Sequence, residues 1–312
     1  MNRYKRVLFC GVGFTLALFV SGGKIASSQS LYLIGQNVQP VFEGWEKNSD
    51  GSFTMVFGYL NRNYVEEPEI PIGTLNSFSP GRADRGQPTH FYPRRQSFVF
   101  SVTVPADWGE KELVWTVTHN GRTGTAYGAL LPSWEIDEGV WKANRGSGIG
   151  GRTKKDIDPN LRPTVRILGD AAVTVGSSET FTLTVAASDD GKPGPRPTGG
   201  GQGASAPSLT TTGVPGITAR VGPASQDMVK ARTAYQTGLG VSWLHYRGPG
   251  KVTFEPMAVS VDPEGKATTT VRFSQPGTYV VRAVADDGIY TTPTDITVTV
   301  KGTAPTPSQV KQ

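Results

Sequence analysis

Apolar and polar residues alternate with a period of two along most of this chain. In residues 98–104, Phe98, Phe100, Val102 and Val104 fall on one face; in 113–118, Leu113, Trp115 and Val117 do; in 181–185, Phe181, Leu183 and Val185 do; near the end, Ile296, Val298 and Val300 repeat the pattern. Successive side chains of a strand point to opposite faces, so this alternation predicts strands with one buried face. No long segment has the 3.6-residue period of an amphipathic helix. A short helix is expected only at 225–236, with Ser225 as N-cap and Met228, Ala231, Arg232 and Tyr235 at helical spacing. The pattern predicts an all-β protein of two antiparallel β-sandwich modules.

Two stretches break the alternation. Residues 145–162, "RGSGIGGRTKKDIDPNLR", are Gly-rich, charged and almost without apolar side chains, which marks a linker. Residues 191–223 hold nine Gly and six Pro in 33 positions. Such a segment buries too little apolar surface to offset its ordering entropy, so a flexible insertion is expected there. The expected organisation is a first module over 29–144, the linker over 145–162, a second module over 163–301 carrying the insertion, and a disordered tail over 302–312.

The first 28 residues read as a secretory signal peptide. Arg3, Lys5 and Arg6 precede an apolar run of 14 residues from Val7 to Val20, and Ala26-Ser27-Ser28 supplies small residues for a cut before Gln29. The run is shorter than the ~20 residues a membrane-spanning helix needs, so no span is expected after cleavage. The segment also changes the charge picture. The chain has 31 Lys+Arg and 26 Asp+Glu; without Arg3, Lys5, Arg6 and Lys24 the balance is 27 to 26, which is no argument for nucleic acid. The one cysteine, Cys10, leaves too, so the mature chain has no disulfide and no thiolate metal site. A periplasmic or extracellular bacterial protein is expected.

Residues 240–300 carry a family resemblance. "VSWLHYRGPGKVTFEP", "TTTVRFSQPGTYVVRAVADDG" and "DITVTV" together resemble PKD-type immunoglobulin-like modules of bacterial surface and secreted proteins. The resemblance implies that Trp243 is the strand C tryptophan, that Gly248-Pro249-Gly250 is the turn after it, and that Pro276 to Tyr279 lead into strand F. Residues 164–190 would supply strands A and B. A Gly-Asp-Gly follows the tryptophan in the stricter PKD pattern; Arg247-Gly248-Pro249-Gly250 stands here instead, so any role of that Asp does not carry over. Such modules serve as spacers, adhesion units and accessory domains alike. The first module resembles, at most, secreted bacterial proteins without an assigned activity.

Catalytic signatures are sparse. His90, His119 and His245 have no His-x-x-x-His spacing, so a metal triad would have to assemble from distant positions. Neither a Gly-x-Ser-x-Gly elbow nor a Walker-type Gly-Lys-Ser/Thr occurs. Gly146, Gly148 and Gly151 match Gly-x-Gly-x-x-Gly, but inside the linker, where the strand and helix of a dinucleotide cradle are missing. Glu43, Glu46 and Glu135 lie beside tryptophans in sequence, yet spacing alone does not show the convergence a glycosidase pair needs.

Two constellations invite a binding reading. Residues 81–95, "GRADRGQPTHFYPRR", place His90, Tyr92, Arg94 and Arg95 near one another, and with Trp108, in a Pro-Ala-Asp-Trp-Gly turn, they suggest a surface for acidic sugars. Arg pairs with carboxylates and aromatic faces stack on sugars. The plainer reading is a polar loop whose Phe91 or Tyr92 plugs the sandwich edge. The second constellation is the pair of Asp-Asp-Gly sequences at 189–191 and 286–288. The loops after strands B and F lie at one end of an immunoglobulin-like sandwich, so Asp189, Asp190, Asp286 and Asp287 are expected to meet there, with Asp156, Asp158 and Asn160 arriving from the linker. Seven oxygen ligands so placed suit calcium; the plainer reading is two Asp-Gly turns.

The expected function is therefore non-enzymatic: an adhesion, scaffold or binding unit whose partner is a protein or polysaccharide of the cell envelope or exterior. An accessory carbohydrate-binding protein is the alternative, and a hydrolase with an unrecognised site comes third.

Overall fold

The alternating segments form strands in the computed structural model of the protein, which describes residues 32–137, 139–141, 160–176, 179–192 and 238–302. The leader, most of the linker, the insertion beyond Lys192, the expected helix at 225–236 and the tail beyond Gly302 lie outside the described residues.

The first module has six strands: β1 (Val38–Lys47), β2 (Phe53–Asn61), β3 (Asn76–Ser79), β4 (Arg94–Val104), β5 (Leu113–His119) and β6 (Arg122–Gly128). They form two three-stranded sheets, β1-β2-β4 and β3-β5-β6. Between them Phe57, Phe78, Phe100 and Trp115 pack ring against ring, with Phe78 and Trp115 stacked at 5.8 Å and Phe100 edge-on to Trp115 at 5.0 Å. Such pairs contribute about 0.5–1.5 kcal/mol each beyond their area burial.

Two register shifts interrupt the first sheet, at Phe42/Gly44 in β1 and opposite Phe57/Tyr59 in β4. They correct one expectation. Phe98 does not share the inner face of Phe100, Val102 and Val104. It sits at φ 54°, and its ring turns away to pack against Trp141, tilted by 32° at 4.3 Å. A bulge inserts extra residues and re-aims the side chains on one flank, which strict alternation does not anticipate.

Among the described residues the second module has nine strands: β7 (Thr164–Ile167), β8 (Ala172–Gly176), β9 (Phe181–Ser188), β10 (Gly240–Arg247), β11 (Val252–Glu255), β12 (Ala258–Ser260), β13 (Lys266–Phe273), β14 (Gly277–Asp286) and β15 (Thr291–Lys301). Its sheets run β12-β10-β14-β15-β8 and β11-β13-β9-β7. With β7, β9, β10, β13, β14 and β15 as strands A, B, C, E, F and G, this is an immunoglobulin-like order. Trp243 of β10 is fully buried. The hydroxyl of Tyr279, near the start of β14, donates to the Gln275 carbonyl at 2.8 Å, the corner tyrosine of this architecture. One pairing is parallel, β8 along β15.

The two cores join. Tyr246 of β10 is buried in the first module's core. Val56, Ile136 and Trp141 of the first module close around Ile289 and Tyr290 of the second. The described residues from Tyr32 onward belong to one compact unit.

Candidate functional site

The seam between the modules is built by the long connection from β2 to β4. Buried amide side chains hold this connection in place. Asn76 Nδ2 donates to the Ile70 and Pro88 carbonyls, and its Oδ1 accepts from Trp115 Nε1. Asn61 Nδ2 donates to the carbonyls of Glu66 and Phe91. Gln87 accepts from the Arg85 amide and donates to the Ala83 carbonyl. An amide side chain can satisfy loop backbone that no strand partner reaches, which allows a long irregular segment to be buried.

Strand β10 docks on this loop. The Thr89 amide donates to the Tyr246 carbonyl at 3.1 Å, and Tyr246 Oη donates to the Gly86 carbonyl at 2.5 Å. Arg247 grips Asp84 through both guanidinium nitrogens at 3.0 and 2.8 Å, and its Nε donates to the Gln87 carbonyl at 2.8 Å. The His245 amide donates to Tyr92 Oη at 2.9 Å. Farther along the seam, Arg282 makes a fork to Asp295 at 2.7 and 2.8 Å, donates to the Val99 carbonyl at 2.8 Å and lies 3.5 Å over the Tyr246 ring. A cleft of about 510 Å³ opens beside it, lined by Glu46, Trp141, Arg162, Tyr246 and Arg282 among others. Its cations are already engaged: Arg162 pairs with Glu46 at 2.8 Å and lies over the Trp141 and Tyr290 rings.

At one end of the seam two histidines meet. The rings of His90 and His245 stack with centroids 4.3 Å apart and planes 29° apart. Glu69 Oε1 lies 2.5 Å from His90 Nδ1 and 3.4 Å from His245 Nδ1, while Glu67 Oε2 lies 3.3 Å from His90 Nε2. Side-chain exposure is 6% for His90 and 1% for His245, against 30% for Glu69. Burial alone lowers the pKa of His90, but the carboxylates of Glu67 and Glu69 outweigh it and raise it to about 9. Burial also raises Glu69, against the pull of His90. With its pKa at about 9, His90 carries its proton between the carboxylates of Glu67 and Glu69. Burial, helped by the charge on His90, lowers His245 to about 3, so it is neutral. Neither ring nitrogen of His245 has a hydrogen-bond partner, nor does Glu67 Oε1.

No family model matches this chain. No curated protein matches it either. Solved structures do superpose: S-layer protein SbsC domains 4 and 5, at 8% identity and a TM-score of 0.25, covering 62% of this chain and 66% of that one; the D00-D0 domain of intimin, at 12% and 0.23, covering 84% and 99%; and the N-terminal eight Ig domains of Down Syndrome Cell Adhesion Molecule, at 10% and 0.23, covering 85% and 27%. This chain spans just under two thirds of the first and about a quarter of the last. Superpositions this loose carry no argument, and the fold rests on strand order, Trp243 and the Tyr279 corner.

The residues expected to bind acidic sugars are placed otherwise. His90 and Tyr92 belong to the buried seam. Trp108 is 7% exposed, and its Nε1 donates to the Lys111 carbonyl. Arg95 Nη2 donates to both Glu43 oxygens at 2.8 Å, and Arg94 lies 4.2 Å over the Tyr64 ring. No stacking face is left on Tyr92 or Trp108, because a β module covers large apolar rings first. Of the six tryptophans, Trp134 is the exposed one, at 45%. Glu46 accepts from Trp141 Nε1 and Arg162, and Glu43 is committed to Arg95, so neither serves as a free glycosidase carboxylate.

The Asp-Asp-Gly loops do meet. Asn160 Nδ2 donates to Asp287 Oδ2 at 3.1 Å, and the Leu161 amide donates to Asp190 Oδ2 at 3.1 Å. Each aspartate also closes a turn of its own: Asp286 accepts from the Gly288 amide, Asp287 from Ile289 and Tyr290, Asp189 from Gly191 and Asp190 from Lys192. Burial raises Asp287 to about 6 and raises Asp189 as well. Asn160 Oδ1 and Asp189 Oδ1 stay buried without a partner. Asp156 and Asp158 lie outside the described residues. Glu67, Glu69 and His245 carry the other end of the seam and have no local signature in the sequence; the Glu-x-Glu before a long loop ending in histidine is its only trace.

Proposed function

We propose that this chain is a non-enzymatic secreted or periplasmic envelope protein, a rigid two-module unit for adhesion, scaffolding or binding of an envelope protein or polysaccharide. The observation that supports it is the seam. Bidentate Arg247–Asp84 and Arg282–Asp295 contacts, backbone bonds from the β2–β4 connection to β10, and Tyr246 inside the first core together give the modules one relative orientation. Inter-module contacts normally leave domain motion open unless the interface is large and apolar. A unit that holds two sandwiches at a fixed angle suits load-bearing or spacing. Calcium remains the cation proposed for the Asp-Asp-Gly end, where it would stiffen the same seam. The carbohydrate alternative has lost the stacking faces assigned to it.

Crosslinking in native envelope fractions tests the reading. A recovered protein or polysaccharide partner, with scattering of the purified chain matching one fixed two-module shape, is the expected result. Turnover of a peptide, ester or glycoside by the pure chain would overturn it, as would scattering that needs a spread of module orientations.

A further inference from the structure

We propose that Glu69, His90 and His245 form a site for one divalent transition-metal ion of the zinc class, which ties the two modules together. His90 and Glu69 come from the first module and His245 from the second. One ligand atom from each lies within 4.8 Å of the others. A zinc-class ion takes imidazole nitrogen and carboxylate oxygen at about 2.0–2.2 Å, which sets neighbouring ligand atoms about 3–3.5 Å apart. The 3.4 Å between Glu69 Oε1 and His245 Nδ1 already has that spacing. The 2.5 Å between Glu69 Oε1 and His90 Nδ1 must open by roughly half an ångström to 1 Å to reach it. Glu69 is the most exposed of the three, so its carboxylate has room to shift.

Two further observations point the same way. His245 is 1% exposed, and neither of its ring nitrogens makes a hydrogen bond, Nδ1 meeting only the Glu69 carboxylate at 3.4 Å. Burying a polar group without a hydrogen bond is costly, so a side chain kept in that state points to a missing ligand. The surroundings also fix the donor atoms. Glu67 lies 3.3 Å from His90 Nε2, so this nitrogen serves as the donor to Glu67 and Nδ1 is left to face Glu69 and His245. A carboxylate behind the second ring nitrogen is how metal-bound histidines are usually oriented. Tyr92 positions both rings: its hydroxyl accepts from the His245 amide at 2.9 Å, and its ring packs edge-on to His90 at 4.6 Å. Two imidazoles and a carboxylate favour zinc, cobalt(II), nickel or copper(II) over calcium or magnesium, which prefer oxygen. Water on the exposed Glu69 side completes the shell.

The test is calorimetric titration of zinc chloride into the purified, chelator-stripped chain, with cobalt(II) absorption as the spectroscopic readout. One equivalent of zinc is expected to bind, with a cobalt(II) band that reports nitrogen ligation and a melting midpoint raised by the metal. Glu69→Gln and His245→Phe should each weaken binding at least tenfold. The first preserves size at a partly exposed position, and the second preserves ring packing in the seam. His119→Ala, at the separate His119–Glu66 contact of 3.0 Å, should leave binding unchanged, and calcium should not compete. Absence of stoichiometric binding in the wild-type chain would overturn the proposal. So would binding that survives both seam substitutions or disappears with His119→Ala. Scattering of the purified chain is a separate measurement, so a failed titration leaves the rigid-unit reading to its own test.

Discussion

The two ends of the seam both bury charge, and they satisfy it in opposite ways. At the Asp-Asp-Gly end, each carboxylate is met by amides two or three residues further along its own chain, as when Asp287 Oδ1 takes the Ile289 and Tyr290 amides at 2.6 and 2.7 Å. At the histidine end, the side-chain partners are distant. Glu69 and His90 are 21 residues apart, and the His245 amide reaches Tyr92 across 153. Local satisfaction survives the loss of tertiary structure, because a turn carries its own donors. Remote satisfaction needs tertiary structure: the Glu69–His90 pair needs the first module folded, and the bond from the His245 amide to Tyr92 needs both modules docked. The histidine end therefore depends on the seam, and the aspartate end mostly does not.

The strongest way to break that contrast is to cut the seam. Arg282→Ala strips the fork from Asp295 and leaves the partly buried Val99 carbonyl without its donor, which should cost about 3 kcal/mol. A loss of that size in a chain of this length lowers the melting midpoint by roughly 6–12 °C. The histidine end should loosen with it, seen as deprotection of the Thr89 and His245 amides in hydrogen exchange, while the Ile289 and Tyr290 amides lose less. Equal loss at both ends would erase the distinction.

The next effect sharpens the aspartate side. Asp287 has its pKa raised by burial from 3.8 to about 6. The folded state thus holds this proton more tightly than the unfolded chain does. Its stabilising effect is complete below about pH 3.8 and is lost as pH rises through 6, a change on the order of 2 kcal/mol. His245, lowered to about 3, acts in the opposite direction over the same range, so the readout is wild type minus Asp287→Asn. That difference should favour the wild type at pH 4 and the variant at pH 7, because Asn160 can turn its unpartnered Oδ1 toward the new amide. Calcium adds a second arm: if the proposed ion binds, millimolar calcium raises the wild-type midpoint and leaves the variant's unchanged.

A smaller loss should follow Tyr92→Phe. The His245 amide then loses its acceptor and the Tyr59 hydroxyl keeps its bond to the backbone amide of residue 92. A cost of about 1.5 kcal/mol in denaturant unfolding is expected, with the amide at 245 the one that gains exchange. The smallest effect belongs to Arg94→Ala. Its cation–π contact with Tyr64 is worth about 0.5–1 kcal/mol, and a glycan array should not distinguish the variant from the wild type. A glycan signal lost in Arg94→Ala would restore the carbohydrate reading.

Much of the second module was legible before any coordinates. The tryptophan of strand C, the Pro-Gly-Thr-Tyr entry to strand F and the alternation in 181–185 and 296–300 are local patterns, and each sits where its pattern says. In the first module the strands were legible and the face of Phe98 was not, because a register shift is decided by the partner strand. The Asp-Asp-Gly loops could be read as turns and as neighbours, since Asp-Gly chemistry is local and strand order places the loops at one end. Glu67, Glu69 and His245 could not be read as a site: nothing in their spacing distinguishes a ligand from a solvated side chain. The residues of 81–95 were legible as a group, but not as the loop that receives β10.

The amino-acid sequence by itself determined that this is a β protein of two modules, because period-two alternation and turn chemistry act over a few residues and need no partner. It also determined which side chains were available for chemistry: three histidines, no thiol beyond Cys10, and two Asp-Asp-Gly turns. Only the tertiary structure decided what those side chains do. Docking β10 on the β2–β4 connection removed water from His90 and His245, brought Glu67 and Glu69 beside them and buried Tyr92 instead of presenting it. Desolvation and remote contact are properties of the packed seam, and a linear pattern carries no term for either.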